Sequence, residues 1–275
     1  MTGMGQVLEV ENRRIVYDVI DITAPWRSGP QRTILFHHGV AMDRQMWRDW
    51  LPALVNTHRV VLFDMYGCGE SEADGSAKDW SPQARVRDIL ALADAVGADR
   101  FHLVGESYGG TVALLAGLTA PERILTLTAV TTAHVGSSIA SVDWWQRLID
   151  EVGMAGWAEE MMPHRFHPDG ISAPMAQWYL NRQATTTGES VVCILRELQN
   201  LDLKERVAEL DLPVLLLHGD SSPFVSAALV ADLHGRLPNS RLKIFPHARH
   251  GLPFSHGHAC GEALAAFLAD WEAGV

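Results

Sequence analysis

An alternation of short apolar runs with longer helical patterns most constrains the fold of this chain. The runs are rich in Val, Ile and Leu, and most are apolar on both faces, which is typical of parallel strands covered by helices on either side. They are TILFHHG (33–39), RVVLFDM (59–65), FHLVGES (101–107), ILTLTAV (124–130), PVLLLHG (213–219) and RLKIF (241–245). The pattern predicts the α/β class, with a mostly parallel sheet between two layers of helices.

Local signals define the elements around these strands. The segment 8–19 alternates polar and apolar residues and predicts an antiparallel edge hairpin, with Asn12 near its turn. A helix is predicted over 81–97, because Ser81 suits the N-cap, Pro82 the first helical position and Gly97 the end. Two further helices are expected, over 109–118 and 261–274.

The alternation is interrupted between about residues 134 and 205, where only helical periodicity is visible. This stretch holds four of the nine tryptophans and four of the nine methionines. We interpret it as a helical cap, or lid, over 135–204, inserted into a core formed by 1–134 and 205–275. Trp144, Trp145 and Trp178 are its candidate substrate-binding residues. The alternative is that these helices simply pack on the core.

Composition excludes several classes of function. The net charge of −11 disfavours nucleic acid and anionic membranes as partners. The first twenty residues lack the pattern of a signal peptide, and no stretch reaches the ~18 apolar residues of a membrane span. Three widely spaced cysteines without a CxxC motif indicate a reducing cytoplasm and no disulfide framework. We expect a cytoplasmic protein with a small-molecule substrate and no cofactor, and its composition allows a homodimer.

The candidate nucleophile is Ser107, in the G-x-S-x-G motif formed by residues 105–109. The motif lies between the apolar run FHLV and the glycine-rich helical pattern GGTVALLAG. On a sharp strand-to-helix turn a serine projects its hydroxyl out of the sheet, and the following helix N-terminus favours developing negative charge.

These motifs resemble those of the α/β-hydrolase family over nearly the whole chain. His38-Gly39 with Trp47 is similar to the family's oxyanion segment, and residues 64–71 are similar to its D-x-x-G-x-G-x-S turn. The resemblance implies an eight-stranded sheet with a cap after the sixth strand. It also implies that the backbone N–H groups of Val40 and Tyr108 form the oxyanion hole. Cys68 occupies a turn in that family, so we expect it to be structural.

His250 is the candidate base, because it follows the last predicted strand by a short loop. The order nucleophile, acid, histidine is the order of this architecture. His247 is the second choice. The tract HARHGLPFSHGHAC (247–260) also raises the question of a metal, but it lacks the paired cysteines or the HExxH spacing of zinc sites, and no metal is expected.

The acid is the open question. Members of the family commonly place it three residues after the glycine that ends this strand, here Gly219, and that position is Ser222. The second usual position holds Thr131 and Thr132. Three alternatives remain: Asp220 recruited by a shifted loop, which we rank first; a remote acid such as Asp143; and a Ser–His dyad in which Ser222 or water orients the imidazole.

The combined interpretation is a serine hydrolase acting on a small, largely apolar ester, lactone or activated carbonyl (C–C) substrate, in the esterase, lactonase and C–C hydrolase branch. A weakly oriented base suits activated acyl groups such as enol esters. No arginine is placed in the sequence so as to single out an acidic substrate. The alternatives are a cofactor-free lyase or oxygenase of the same fold, and a catalytically silent binder of small molecules.

Overall fold

One eight-stranded sheet forms the centre of the molecule. The computed structural model describes residues 3–26, 32–73, 79–139 and 142–274. The strands are β1 (Gly3–Val10), β2 (Arg13–Ile20), β3 (Thr33–His37), β4 (Arg59–Phe63), β5 (Phe101–Glu106), β6 (Ile124–Val130), β7 (Val214–Gly219) and β8 (Ser240–Phe245). Their order across the sheet is β1-β2-β4-β3-β5-β6-β7-β8. All neighbours from β4 to β8 are parallel, whereas β1 and β2 are antiparallel. The predicted fold class is confirmed.

The helices follow the strands as the alternation predicted. They are α1 (Pro82–Ala95), α2 (Tyr108–Thr119), α3 (Val142–Arg165), α4 (Ala173–Thr185), α5 (Gly188–Asn200), α6 (Ala227–Arg236), α7 (Leu252–Ser255) and α8 (Gly257–Ala273). The Ser81 hydroxyl caps α1 by accepting a hydrogen bond from the Ala84 N–H at 3.2 Å. The edge hairpin turns at Glu11 and Asn12, whose φ angles are 47° and 64°. In the part of the chain that is described, no helix is long and apolar enough to cross a membrane.

Both faces of the central strands β3 to β7 are buried, which explains their doubly apolar sequences, whereas the edge strands β1 and β8 are largely exposed. Within β3, Ile34 and Phe36 point to one layer of the core and Leu35 to the other. The first layer also contains Trp47 and Trp50, which lie in a 3-10 helix, Arg44–Ala53, that the sequence did not predict. The three cysteines are unpaired thiols, and burial raises the pKa of Cys68 to about 12, as suits a structural residue.

The chain between β6 and β7 is helical. Helices α3, α4 and α5 lie there, and we call residues 142–200 the helical insert. α3 is kinked at Gly153, whose φ of 69° is outside the helical range. Trp157 on α3 is fully buried and contacts Trp145 edge to face, with ring centroids 5.5 Å apart.

The turn after β4 is held by a buried ion pair. The Asp64 carboxylate accepts hydrogen bonds from the Arg44 guanidinium, from the Arg44 N–H at 2.7 Å and from the Glu70 N–H at 2.9 Å. Arg44 also donates to Asp18 at 2.9 Å. Asp64 is fully buried, so its removal would leave one arm of the Arg44 guanidinium and two backbone N–H groups without their acceptor.

We therefore expect Asp64→Ala to lower the free energy of unfolding by about 3–5 kcal/mol, because one partner of a buried ion pair is removed. Urea unfolding followed by circular dichroism measures it. Glu70→Ala is the matched control, since this carboxylate is 59% exposed and lies 3.3 Å from the same guanidinium. The control should change stability by less than about 1 kcal/mol. Equal losses in the free energy of unfolding of the two variants would contradict the conclusion that burial makes the Asp64 carboxylate the more important partner of Arg44.

Candidate active site

Ser107 occupies a sharp turn between β5 and α2. Its backbone has φ 54° and ψ −118°, a region that non-glycine residues rarely adopt. The turn is fixed by hydrogen bonds from the Ser107 N–H to the Val130 carbonyl at 2.9 Å and from the Gly110 N–H to the Ser107 carbonyl at 3.1 Å. Gly105 and Gly109 are required by close approach: a Cβ at Gly105 would collide with the Gly109 carbonyl, and one at Gly109 with the His37 backbone.

His250 lies directly beside this serine. Its Nε2 is 3.1 Å from the Ser107 Oγ, and the side chain is buried. Burial lowers the pKa of the imidazole well below its usual value, and the nearby Arg165 and His218 act in the same direction. The ring is therefore neutral at neutral pH and can accept a proton. His247, the second choice, instead stacks on the exposed side of the molecule against His167, at 3.8 Å between centroids.

The other nitrogen of His250 faces a serine, not a carboxylate. The Ser222 Oγ is 3.1 Å from Nδ1 and also accepts a hydrogen bond from the Val225 N–H at 3.3 Å. For Nε2 to accept the Ser107 proton, Nδ1 must carry the ring hydrogen and donate it to Ser222. Ser222 thus stands where the count from Gly219 placed the acid of the family.

Asp220, ranked first as the acid, does not reach His250 in the structure, and this prediction needs correction. Its exposed carboxylate accepts hydrogen bonds from the Ser221 hydroxyl at 2.6 Å and from the N–H groups of His247 and Ala248 at 2.9 and 3.2 Å. These bonds hold the loop before His250, and they lower the pKa of Asp220. Asp143, the remote alternative, is exposed and lies 3.9 Å from Arg196.

A carboxylate that sequence reasoning missed lies on the Nε2 side of the imidazole. Glu106, the residue before Ser107, is buried, and its Oε1 is 3.9 Å from His250 Nε2. Burial raises the pKa of Glu106 to about 7, while Arg165 and the Gly39 N–H act against that rise. It occupies one of the two variable positions of the G-x-S-x-G motif, so the motif gave no signal for it.

Ser107, which is half-buried, and His250 line a small cavity of about 20 Å³, which we call the site cavity. That volume holds about one water molecule. Val40, Trp145, Phe224 and Arg165 also line it. Arg165 is the second residue that the sequence did not reveal, because its position depends on how α3 packs over the sheet. The two residues predicted to form the oxyanion hole lie close by: Val40 lines the cavity, and Tyr108 is the first residue of α2, directly after Ser107.

The three tryptophans predicted to bind substrate do not lie together. Trp145 lines the site cavity and contacts Phe224, with ring centroids 5.3 Å apart. Trp144 is 37% exposed, and Trp178 stacks on Phe254 beside a surface groove. The prediction is corrected for these two residues, because neighbouring positions on one helix face different directions and α4 places Trp178 elsewhere.

One set of potential metal ligands lies far from the tract 247–260. In the described ranges, the ligand atoms of His58, His102 and Glu272 lie within 4.8 Å of one another. Arg32 is 3.0 Å from the Glu272 carboxylate and already neutralises it. The positive charge of Arg32 would repel a metal cation at this position. We therefore interpret the three residues as a buried pair of histidines next to the Arg32–Glu272 ion pair.

Comparison with known proteins gives a consistent picture. A family model for the alpha/beta hydrolase fold matches residues 32–189. The chain is 26% identical over 203 residues to 3-oxoadipate enol-lactonase 1 of Acinetobacter baylyi, covering 71% of this chain and 74% of that protein. It is 27% identical over 255 residues to the pimeloyl-acyl-carrier-protein methyl ester esterase of Aeromonas hydrophila, covering 87% and 96%. The crystal structure of the enol-lactonase from Burkholderia xenovorans LB400 superposes with a TM-score of 0.86 at 20% identity, covering 96% of this chain and 100% of that one.

The geometry around His250 predicts how its titration responds to substitution. Ser222→Asp should raise the pKa of His250 by roughly one to three units, because an opposite charge next to Nδ1 favours the imidazolium. Asp220→Asn should leave that pKa unchanged. Both are measured by NMR titration of labelled histidine.

Ser226→Asp is the matched control, because it adds the same charge nearby at the exposed N-cap of α6, which aspartate also suits. A shift on Asp220→Asn as large as that on Ser222→Asp would contradict the assignment of Ser222 to Nδ1.

Proposed function

Because this chain belongs to the alpha/beta hydrolase family, we propose that it is a serine hydrolase that cleaves an ester, a lactone or an activated carbonyl (C–C) substrate. The observation that carries the proposal is the 3.1 Å contact between the Ser107 Oγ and His250 Nε2. It joins a nucleophile on a strand-to-helix turn to a neutral, buried base, as acyl transfer requires.

The reaction follows from these positions. The Ser107 Oγ attacks the carbonyl carbon while His250 takes its proton at Nε2 and later delivers that proton to the leaving group. The oxyanion forms against the backbone N–H groups of Val40 and Tyr108. Two such donors, fixed where charge develops, contribute several kcal/mol of barrier lowering. A water molecule activated by His250 then releases the acyl group from Ser107.

The group at Nδ1 of His250 determines how reactive a substrate must be for this site to cleave it. Ser222 orients the ring as a neutral acceptor but supplies no negative charge to the imidazolium. Loss of the acid in a comparable triad costs on the order of 10⁴ in rate while leaving the oxyanion hole in use. Such a site is best matched to activated acyl groups, in which the leaving group is an enolate or a stabilised carbanion.

The helical insert acts as a lid in this proposal. Trp145 on α3 closes the site cavity together with Phe224, and the cavity is too small for an ester. Substrate therefore reaches Ser107 only when residues over the cavity move aside. Closure then removes bulk water from the acyl-enzyme, except for the water that hydrolyses it.

A non-hydrolytic reaction is the second candidate, and Ser222 is the observation that favours it. A neutral His250 held by a hydroxyl can act as a general base without a covalent intermediate, as in a cofactor-free lyase or oxygenase. A binder without catalysis is the third. Neither alternative forms a covalent acyl-enzyme at the Ser107 hydroxyl, whereas the proposed hydrolase does.

Ser107→Ala should lower the kcat for p-nitrophenyl butyrate by a factor on the order of 10⁴ or more, because the nucleophile is removed. The exposed Ser221→Ala is the control and should retain most of the activity. A serine-directed fluorophosphonate should label wild type and not Ser107→Ala, as read by intact mass spectrometry. A wild type that neither turns over the ester nor becomes labelled would eliminate the hydrolase.

Glu106 should give the reaction a pH dependence centred near 7. Below this pH the carboxyl is protonated and neutral, whereas above it the carboxylate stabilises the imidazolium 3.9 Å away. The kcat/KM of wild type should therefore rise as the pH rises through about 7. Glu106→Gln should match wild type near pH 5.5 and fall below it at pH 8.

The pH dependence of the free energy of unfolding provides an independent check on Glu106. The carboxyl of Glu106 has a higher pKa in the folded protein than its ordinary value of 4.5, so its ionisation costs folding free energy as the pH rises through about 7. Glu106→Gln should gain up to about 3 kcal/mol relative to wild type between pH 5 and pH 8. An unchanged stability difference across this range would show that Glu106 titrates normally.

A further inference from the structure

The site cavity contains a cationic side chain that has no carboxylate at ion-pair distance among the described residues. Arg165 is the last residue of α3, is 4% exposed and lines the cavity with Ser107 and His250. Its guanidinium lies over the Phe224 ring, 5.1 Å from the centroid. Within the described residues, no carboxylate lies within 4.0 Å of its nitrogens, and the buried Nε has no hydrogen-bond partner.

A buried cation of this kind is costly for the free protein. Buried charges in proteins are normally paired, because desolvation of an isolated charge is expensive. Glu106 is close enough to feel Arg165, but it lies beyond ion-pair distance, and with its pKa near 7 it is only partly ionised at neutral pH. The contact with Phe224 replaces only part of the lost hydration.

The cation also works against the chemistry of the site. It lowers the pKa of His250 and so disfavours the imidazolium that forms when Ser107 attacks. A positive charge in this place slows the reaction of a neutral substrate. The penalty disappears when an anion neutralises Arg165 as the substrate binds.

Arg165 is also held in a fixed place relative to the base. The Gly251 N–H donates to the Arg165 carbonyl at 2.9 Å, and the Arg249 guanidinium donates to the Pro163 carbonyl. The residues on both sides of His250 therefore form hydrogen bonds to backbone carbonyls at the C-terminal end of α3. These bonds fix the backbone from which Arg165 projects, and its planar guanidinium, which lies over Phe224, offers a fork of donors that suits bidentate binding of a carboxylate.

From these observations we infer that Arg165 binds a carboxylate of the substrate. The substrate class is then an ester, lactone or activated ketone that carries a separate carboxylate, and not a purely apolar acyl compound. The inference rests on the proposed function for its chemistry. It concerns the binding of an anion, however, which can be measured without turnover.

Three butyrate-sized substrates test the inference in wild type and Arg165→Met. They are p-nitrophenyl butyrate, which is neutral; mono-p-nitrophenyl glutarate, with a carboxylate on the acyl part; and 4-butyryloxybenzoate, with a carboxylate on the leaving group. Arg165→Met should lower kcat/KM for at least one anionic ester by about 10–100-fold, the range for a charged hydrogen bond. The neutral ester should react faster, because the charge that disfavours the imidazolium of His250 is removed. The affected ester identifies the side of the scissile bond that Arg165 contacts.

Arg196→Met is the matched control for general attraction of anions, because Arg196 is a 53% exposed cation of the same helical insert. It should change all three substrates by less than about twofold. An equal loss for all three substrates in Arg165→Met would overturn the inference, since it would mean that Arg165 only supports the structure.

Binding to Ser107→Ala separates this inference from the proposed function. Monomethyl glutarate should bind to Ser107→Ala at least tenfold more tightly than methyl butyrate by calorimetry, and the added Arg165→Met change should remove that preference. This result would support the anion site even if wild type hydrolysed none of the three esters. For a carboxylate on the leaving-group side, the corresponding pair is 4-butyryloxybenzoate and phenyl butyrate. Equal affinity within both pairs would overturn the inference, whatever the outcome for hydrolysis.

Discussion

The strained turn at Ser107 is the constraint on which the rest of the site depends. A backbone at φ 54° and ψ −118° costs on the order of 1–3 kcal/mol and persists only where its surroundings impose it. The parallel sheet imposes it here, because β5 runs between β3 and β6 and the turn is bonded to the end of β6. The same crowding requires glycine at 105 and 109. The order of the strands, the packing around them and the position of Ser107 therefore depend on one another.

The electrostatics around His250 differ from those of an ordinary triad. The group at Nδ1 is the uncharged hydroxyl of Ser222, and the charges nearby are Glu106 on one side and Arg165 on another. Two opposite unit charges 4 Å apart attract by about 4 kcal/mol at an effective dielectric constant of 20. Ionised Glu106 can therefore stabilise the imidazolium, whereas Arg165 disfavours it. Burial lowers the pKa of His250 most, and the charges that lie near the ring in addition are those of Arg165 and Glu106, not that of a buried aspartate.

The fold could be predicted from sequence, because doubly buried strands and capped helices leave local signals. Ser107 and His250, which the motif and the order along the chain singled out, lie 3.1 Å apart in the structure, and the count from Gly219 pointed to Ser222, which lies at Nδ1. The assignment of Asp220 failed because hydrogen bonds to a loop backbone and to an imidazole look alike in sequence. Glu106 and Arg165 left no signal, since their roles arise only when β5, α3 and the loop around His250 come together. Trp178 was misplaced for the same reason.

How the cavity opens is constrained by what holds its walls. The C-terminal end of α3 is tied to Arg249 and Gly251, so Arg165 and His250 keep their relative positions. Trp145 lies on the other side of the kink at Gly153, and its contacts at the cavity are aromatic, to Trp157 and Phe224. Ring contacts tolerate sliding better than hydrogen bonds, whose energy falls steeply with misalignment. The first half of α3 is therefore the part of the wall that can move while the charged half keeps the site assembled.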